Sequence, residues 1–299
     1  LERTPVLGLD EAFDPEGAED RGASAPPAGH AARPAGESIA RLYTSGTTGP
    51  PKGVPLTGEN IDYQLEVIER TGLIGSGDRI LLPLPLHHVY PLVIGLLAPL
   101  HLGLTVVFPH ALTGPRIRHA ISRGRTTVVI GVPRFYQAFV SGIEQQVEAS
   151  GRVALAVYRA GRRFSGLLRR RLKIEAGRLV FRKLHRRVGD DLRILASGGA
   201  PLRPALAAKL QALGWEIAIG YGLTETAPLL TLSLPGNAKP GSVGKAVPGT
   251  ELRVDPDAPA HDDETSATGP AEDAGATPRG EILARGPGVF SGYHQRPGE

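Results

Sequence analysis

The sequence predicts an α/β fold of mostly parallel sheets flanked by helices, and three observations predict it. Short β-branched runs alternate with longer stretches of helical spacing, the pattern of a chain that crosses over between parallel strands. Gly and Pro are abundant, at 39 and 27 of 299 residues, and most of them fall in turns between apolar runs. The hydrophobic share is 41% and the charged share 21%, close to ordinary globular composition, so a substantial core can form.

The elements follow in order. Leu1 to Asp10 lacks the basic start and long apolar run of a leader. Asp10 to Glu37 is rich in Ala, Pro, Gly and acids without apolar period, so residues 1–38 read as a linker or loop and residues 39–299 as one core. With no Met and a first residue Leu1, the chain reads as an internal fragment. Ile39 to Thr44 reads as a strand ending in a Gly-rich turn, Asn60 to Arg70 as a helix, and Arg79 to Leu84 as a strand. Val89 to Pro109 holds no Asp, Glu, Lys or Arg and is long enough for a membrane span. Pro91, Pro99 and His101 interrupt it, so a buried helix followed by a buried strand is expected.

Thr126 to Val132 is a central-strand candidate, and Pro133 to Val147 a helix. Arg159 to Val188 carries twelve Lys and Arg against one acid, Glu175, and reads as two helices joined near Gly177. Leu192 to Ala196 is a strand, Pro201 to Leu213 a helix with Pro in its first turn, and Glu216 to Gly220 a strand. Asp255 to Arg279, acidic and rich in small residues, reads as an exposed hairpin loop before a strand over Gly280 to Ala284. No internal repeat is visible.

Charge and Cys usage narrow the function. The net charge is +4. The basic strip at 159–188 is either a solvated helical face or a surface for phosphates or an anionic membrane. Nucleic acid is not expected as a partner, because no aromatic stacking series or recognition-helix pattern accompanies the strip. The chain has no Cys, which excludes disulfides and Cys-ligated metal. That fits a reducing cytosol, so the expected place is cytoplasmic, with the basic strip as the route to the inner face of a membrane.

The chemistry concentrates in two segments. Thr44-Ser45-Gly46-Thr47-Thr48-Gly49-Pro50-Pro51-Lys52-Gly53 follows a strand. Its glycines let backbone N–H groups approach an anion, its hydroxyls add donors, and Lys52 adds a mobile positive charge for phosphate oxygens. It is not the Gly-Lys-Ser/Thr loop of the kinase type. Gly220-Tyr221-Gly222-Leu223-Thr224-Glu225-Thr226 also follows a strand. Tyr221 offers an aromatic face for a purine, Thr224 a hydroxyl for a phosphate, and Glu225 an oxygen ligand for Mg²⁺.

Two weaker segments accompany them. Ser197-Gly198-Gly199-Ala200-Pro201 is a small-residue turn that lets backbone approach a flat ring. Leu84-Pro85-Leu86-His87-His88-Val89-Tyr90 contains adjacent histidines, of which His88 is either hydrogen-bonded structure or part of a site. No further ligands accompany the pair to suggest a metal.

The Tyr43-to-Val54 string closely resembles the signature of the adenylate-forming superfamily, which includes acyl-CoA synthetases, luciferases and peptide-synthetase adenylation domains. Gly220 to Thr226 resembles its second signature. The turn at Gly198 to Pro201 matches its adenine-pocket turn. Gly280-Glu281-Ile282, Arg285-Gly286-Pro287 and Gly292-Tyr293 are similar to its late strand and loop. Order and spacing fit from Glu37 to Glu299. The resemblance implies ATP, Mg²⁺ and CoA as cofactors. It implies Lys52, Thr224, Glu225 and His88 as catalytic residues, Mg²⁺ on Glu225, and nucleotide contacts from Thr44–Gly49, Lys52, Gly198–Pro201, Gly220–Gly222 and Thr224.

The chain stops at Glu299, before the positions where the family carries a ribose-binding Asp, a hinge and a small C-terminal domain with a catalytic Lys, so that domain is read as absent here. The fragment alone is therefore expected to turn over poorly. The text around Val132-Pro133-Arg134-Phe135-Tyr136 and the long basic insertion before Leu192 are similar to long-chain fatty-acyl-CoA synthetases. Pro91 departs from the Glu those relatives often carry. The implied reaction makes an acyl adenylate from a carboxylate and ATP, then a thioester with CoA. The alternatives are transfer of the acyl group to a carrier protein, as by fatty-acyl-AMP ligases or adenylation domains, and a non-catalytic nucleotide- or acyl-binding module.

Overall fold

The computed structural model describes residues 36–44, 50–236, 239–257 and 280–296. Strand β1 (Ser38–Thr44) pairs antiparallel with β2 (Lys52–Thr57), setting Thr44 opposite Lys52. The Gly-rich turn expected after Thr44, Ser45 to Gly49, lies outside the described residues. Helix α1 (Gly58–Thr71) starts at a reciprocal cap: the Asn60 N–H donates to Thr57 Oγ1 at 3.2 Å, and the Thr57 N–H donates to Asn60 Oδ1 at 3.0 Å. It stops at Gly72, whose φ of 60° is open to glycine at little steric cost.

Next come β3 (Arg79–Leu81), a π-helix (Tyr90–Leu97) running into α2 (Ala98–His101), and β4 (Thr105–Val107). The expected helix and strand are thus both present, but β4 is an edge strand in which only Val107 is buried. Among the described residues no helix is long and apolar enough to cross a membrane. In the π-helix the Ala98 N–H reaches back to the Val93 carbonyl. Pro99, next in line, has no N–H to restore the α register.

The chain continues through α3 (Gly114–Arg123), β5 (Val128–Gly131), α4 (Pro133–Ala149), α5 (Arg152–Leu172), α6 (Gly177–Val180), α7 (Arg182–Val188) and β6 (Ile194–Ser197). It ends with α8 (Pro204–Ala212), β7 (Glu216–Gly222), a 3₁₀ turn (Thr224–Thr226), β8 (Leu229–Ser233), β9 (Lys245–Ala246), β10 (Glu251–Asp255) and β11 (Glu281–Arg285).

Seven strands form the main sheet in the order β4-β3-β5-β6-β7-β8-β9. The first five are parallel; β8 and β9 add antiparallel. β5 is buried along its whole length, as expected of an inner parallel strand. Alternate residues face two cores. Ile80, Val128, Ile194 and Ala218 meet α1 and the π-helix, while Leu81, Val129, Leu195 and Ile217 meet α3, α4 and α8.

Three expectations need correction. The basic segment folds as three helices. Lys173 takes a left-handed φ of 55° and closes α5 by donating to the Arg169 carbonyl, and Phe181, buried against Tyr158, separates α6 from α7. The helix expected from Pro201 begins at Pro204, because a residue before proline is pushed extended and Arg203 has ψ 131°. The strand at Arg79 ends at Leu81, not Leu84. β10 and β11 pair from Glu251–Arg285 to Asp255–Glu281, so a hairpin is present, although 258–279 and the linker 1–35 lie outside the described residues.

A carboxylate ties the sheet together at the N-terminal ends of its strands. Asp78 accepts from the Gly75 N–H (3.0 Å), the Thr127 hydroxyl (2.6 Å) and both Nε (3.2 Å) and NH2 (2.5 Å) of Arg193. These partners precede β3, β5 and β6. Burial works to raise the Asp78 carboxyl, but Arg193, Thr127 and Gly75 together hold it below the usual carboxylate range. A carboxyl with a depressed folded pKa stabilises above its unfolded value and loses that contribution as pH falls through the folded one. Asp78→Ala is expected to lower stability by about 2 kcal/mol near neutral pH. In denaturant melts the gap from wild type should shrink as pH falls below the ordinary carboxylate range.

Candidate active site

A cavity of about 590 Å³ opens where the parallel strands end. β6 and β7 remain paired only up to Ser197 and Ile219, so Gly220 to Gly222 run on beyond β6 and pair with β8 alone. The notch left beside them is floored by Gly198 and Gly199. This refines the reading from sequence: Tyr221 is not past the strand but in its last turn-out, opposite Thr231. It lines the cavity and is half-buried.

Close approach fixes two glycines. A Cβ on Gly198 would lie 3.0–3.2 Å from the Tyr90 ring, whose hydroxyl donates to the Ala196 carbonyl at 3.0 Å. A Cβ on Gly222 would lie 1.6 Å from the Pro228 carbonyl oxygen, inside bonding distance. Burial pushes the Tyr90 phenol above its ordinary pKa, so it serves as a neutral donor.

The 3₁₀ turn after β7 presents Thr224 and Glu225 to the cavity. Thr226 locks that turn from beneath. Its Oγ1 accepts from the Leu223 N–H at 3.0 Å and donates to the Pro228 carbonyl at 2.7 Å. Gln64, fully buried on α1, donates to the carbonyls of Thr226 (2.9 Å) and Leu229 (3.1 Å).

From the other side, the hairpin brings Thr44 and Lys52 to the wall. The late segment then joins both halves. Tyr293 donates its hydroxyl to Glu225 Oε1 at 2.8 Å, while Lys52 Nζ stands 4.7 Å from the centroid of the same ring. The Phe290 N–H donates to the Glu225 carbonyl (2.9 Å) and the His294 N–H to the Gly53 carbonyl (2.8 Å). Asn60 Nδ2 holds the Pro287 carbonyl at 2.7 Å.

The structure therefore gathers Thr44, Lys52, His88, Gly198, Gly199, Gly220, Tyr221, Gly222, Thr224 and Glu225 around one cavity. His88 is exposed at the rim, its ring against His87. Ala200 and Pro201 are exposed and are not part of the wall, because the chain turns away after Gly199 toward α8. Ser45, Gly46, Thr47, Thr48 and Gly49 lie outside the described residues.

Sequence reasoning gave Tyr293 and Tyr90 no role. Both stood inside recognised strings, but a hydrogen bond between positions 225 and 293 has no local pattern. Among the described residues no cluster of three or more His, Asp or Glu could hold a metal. Glu225 supplies one hard oxygen donor at the cavity. That suits Mg²⁺, which takes one or two carboxylates and completes its shell with phosphate oxygens and water.

A model of the AMP-binding enzyme family matches residues 2–294. The chain belongs to that family. Among its relatives, a long-chain-fatty-acid–CoA ligase of Mycobacterium bovis is 34% identical over 290 residues, covering 92% of this chain and 44% of its own. The peroxisomal long chain acyl-CoA synthetase 6 of Arabidopsis thaliana is 34% identical over 259 residues, covering 85% and 35%. ATP-bound MatB from Rhodopseudomonas palustris has the same fold, with a TM-score of 0.62 at 26% identity over 89% of this chain and 43% of that one. The chain spans less than half the length of these relatives.

Thr226→Val keeps the shape of the side chain but strips the lock from the turn. It is expected to cost about 1–3 kcal/mol in chemical denaturation, because the Leu223 N–H loses its partner.

Proposed function

We propose that the protein carrying this AMP-binding chain activates a long-chain fatty acid with ATP, releasing pyrophosphate, and passes the acyl group to CoA. The observation that supports it best is the meeting of Lys52 and Glu225 on one tyrosine at the mouth of a cavity floored by glycines. Such a floor lets a flat base lie against backbone, with Tyr221 as a candidate face for the purine. The relatives named above include ligases of long-chain fatty acids.

In this reading the fatty-acid carboxylate attacks the α-phosphorus of ATP. A carboxylate oxygen–phosphorus bond forms as the bond to the pyrophosphate oxygen breaks. Lys52 offsets the charge gathering on the departing phosphates, and Thr224 donates to the α-phosphate. Glu225, held by Tyr293, would carry Mg²⁺, which when bound neutralises phosphate charge. Ser45, Thr47 and Thr48 would add hydroxyl donors for the phosphates, and Gly46 and Gly49 would let backbone N–H groups come near them. His88 at the rim borders the acyl group. In the second step the CoA sulfur attacks the acyl carbon, and AMP leaves with the electron pair of the broken acyl–oxygen bond.

The deciding experiment is carboxylate-dependent ATP–pyrophosphate exchange by the whole protein, with acids from acetate to long-chain fatty acids and with amino acids. Exchange should rise with acyl length, and CoA, not a carrier protein, should accept the product. Exchange with amino acids only, or with no acid at all, would overturn the reading. Lys52→Ala or Glu225→Ala should each slow exchange by ~10²-fold or more, the scale for one electrostatic stabiliser. Tyr293→Phe keeps the ring beside Lys52 and removes only the hydroxyl on Glu225, so a loss of about 10-fold is expected in the same assay.

A further inference from the structure

The outward face of α5 is itself divided into two stripes. Val153, Val157, Phe164 and Leu167 follow one another at helical spacing through Ala160, and they are 78%, 67%, 56% and 49% exposed. One position around the helix, Arg159, Arg163 and Arg170 form a parallel row, all exposed. The inward face is spoken for by buried Tyr158 and Ser165 and by Arg162, which pairs with Glu144 at 3.2 Å. Val180 packs beside Gly161 and, with Leu179, widens the apolar stripe on the flank away from the arginines.

We propose that this face docks the protein on an anionic membrane surface, with the apolar ridge set among the headgroups and the arginine row on the lipid phosphates. An in-plane helix of this kind needs both signals, apolar side chains to enter the interface and cations to find it. Charge complementarity selects the occupant. The only acid between Arg159 and Val188, Glu175, is bound to Arg169 at 2.8 Å, so nothing on the strip neutralises the outer arginines. A second copy laid on the same ridge would bring two such rows together without an acid on either. The helix lies on the sheet face opposite α1 and the π-helix, outside the layer of α4 and α8. Docking therefore covers none of the residues that line the cavity.

The test is flotation of the whole protein with vesicles of phosphatidylcholine alone and of three parts phosphatidylcholine to one part phosphatidylglycerol. Binding should require the anionic lipid and weaken as salt is raised. Each arginine near such a surface contributes roughly five-fold in partitioning, so Arg159→Gln/Arg163→Gln/Arg170→Gln should bind about 100-fold less. Phe164→Ser/Leu167→Ser keeps the charges and should still lose about 10-fold or more. All five positions are exposed, so unchanged melting and ATP–pyrophosphate exchange should accompany the loss. Equal binding to both vesicles, or wild-type binding by either variant, would overturn the proposal. So would absent vesicle binding together with a wild-type dimer in sedimentation that Phe164→Ser/Leu167→Ser dissociates, which would assign the face to a second copy.

Discussion

Tyr293 bears on two charges that the fold delivers from separate places. Lys52 rides on a two-stranded hairpin outside the main sheet. Glu225 sits on a turn past the end of β7. One ring touches both, with its edge hydroxyl on the carboxylate and its face toward the ammonium. The segment around it is pinned by backbone bonds to Glu225 and Gly53 and by Asn60 on α1. Because Asn60 also caps its own helix, the start of α1, the hairpin and the late loop are set in place together.

The sheet separates strength from chemistry. At the N-terminal ends of the strands, Asp78 gathers charge-assisted bonds from chain on three neighbouring strands. At the C-terminal ends, pairing between β6 and β7 runs out and a notch opens. This is where ligands bind in open α/β sheets, since the crossovers leave strand ends and small-residue turns facing a crevice. The start of the π-helix lines the crevice, and its first residue, Tyr90, lies over Gly198.

Much of this was legible from the residues. The β-branched run at Val128–Gly131 and the alternation of strand and helix each express a local preference that the fold keeps. That Lys52, Thr224 and Glu225 share one cavity was legible because each stands in a glycine-rich string that follows a strand. What was illegible depended on distance along the chain. Nothing near Tyr293 announces Glu225, and nothing near Gln64 announces Thr226. The start of α8 was misplaced because two prolines compete there, and only Pro204 finds helical chain after it. The basic strip read as undivided charge, and its apolar ridge emerged only once α5 had a buried side to be measured against.

The glycine floor limits how the cavity can change. At Gly222 any side chain would collide with the Pro228 backbone, and at Gly198 it would displace Tyr90. Gly222 can therefore take no side chain without moving backbone, and Gly198 only if the Tyr90 ring gives way, so this part of the cavity floor is held close to one shape. Freedom is left to wall residues that project side chains into the space, such as Leu84, Val132 and Leu223. Substitutions at these wall positions would reshape the upper part of the cavity while the backbone floor stayed as it is.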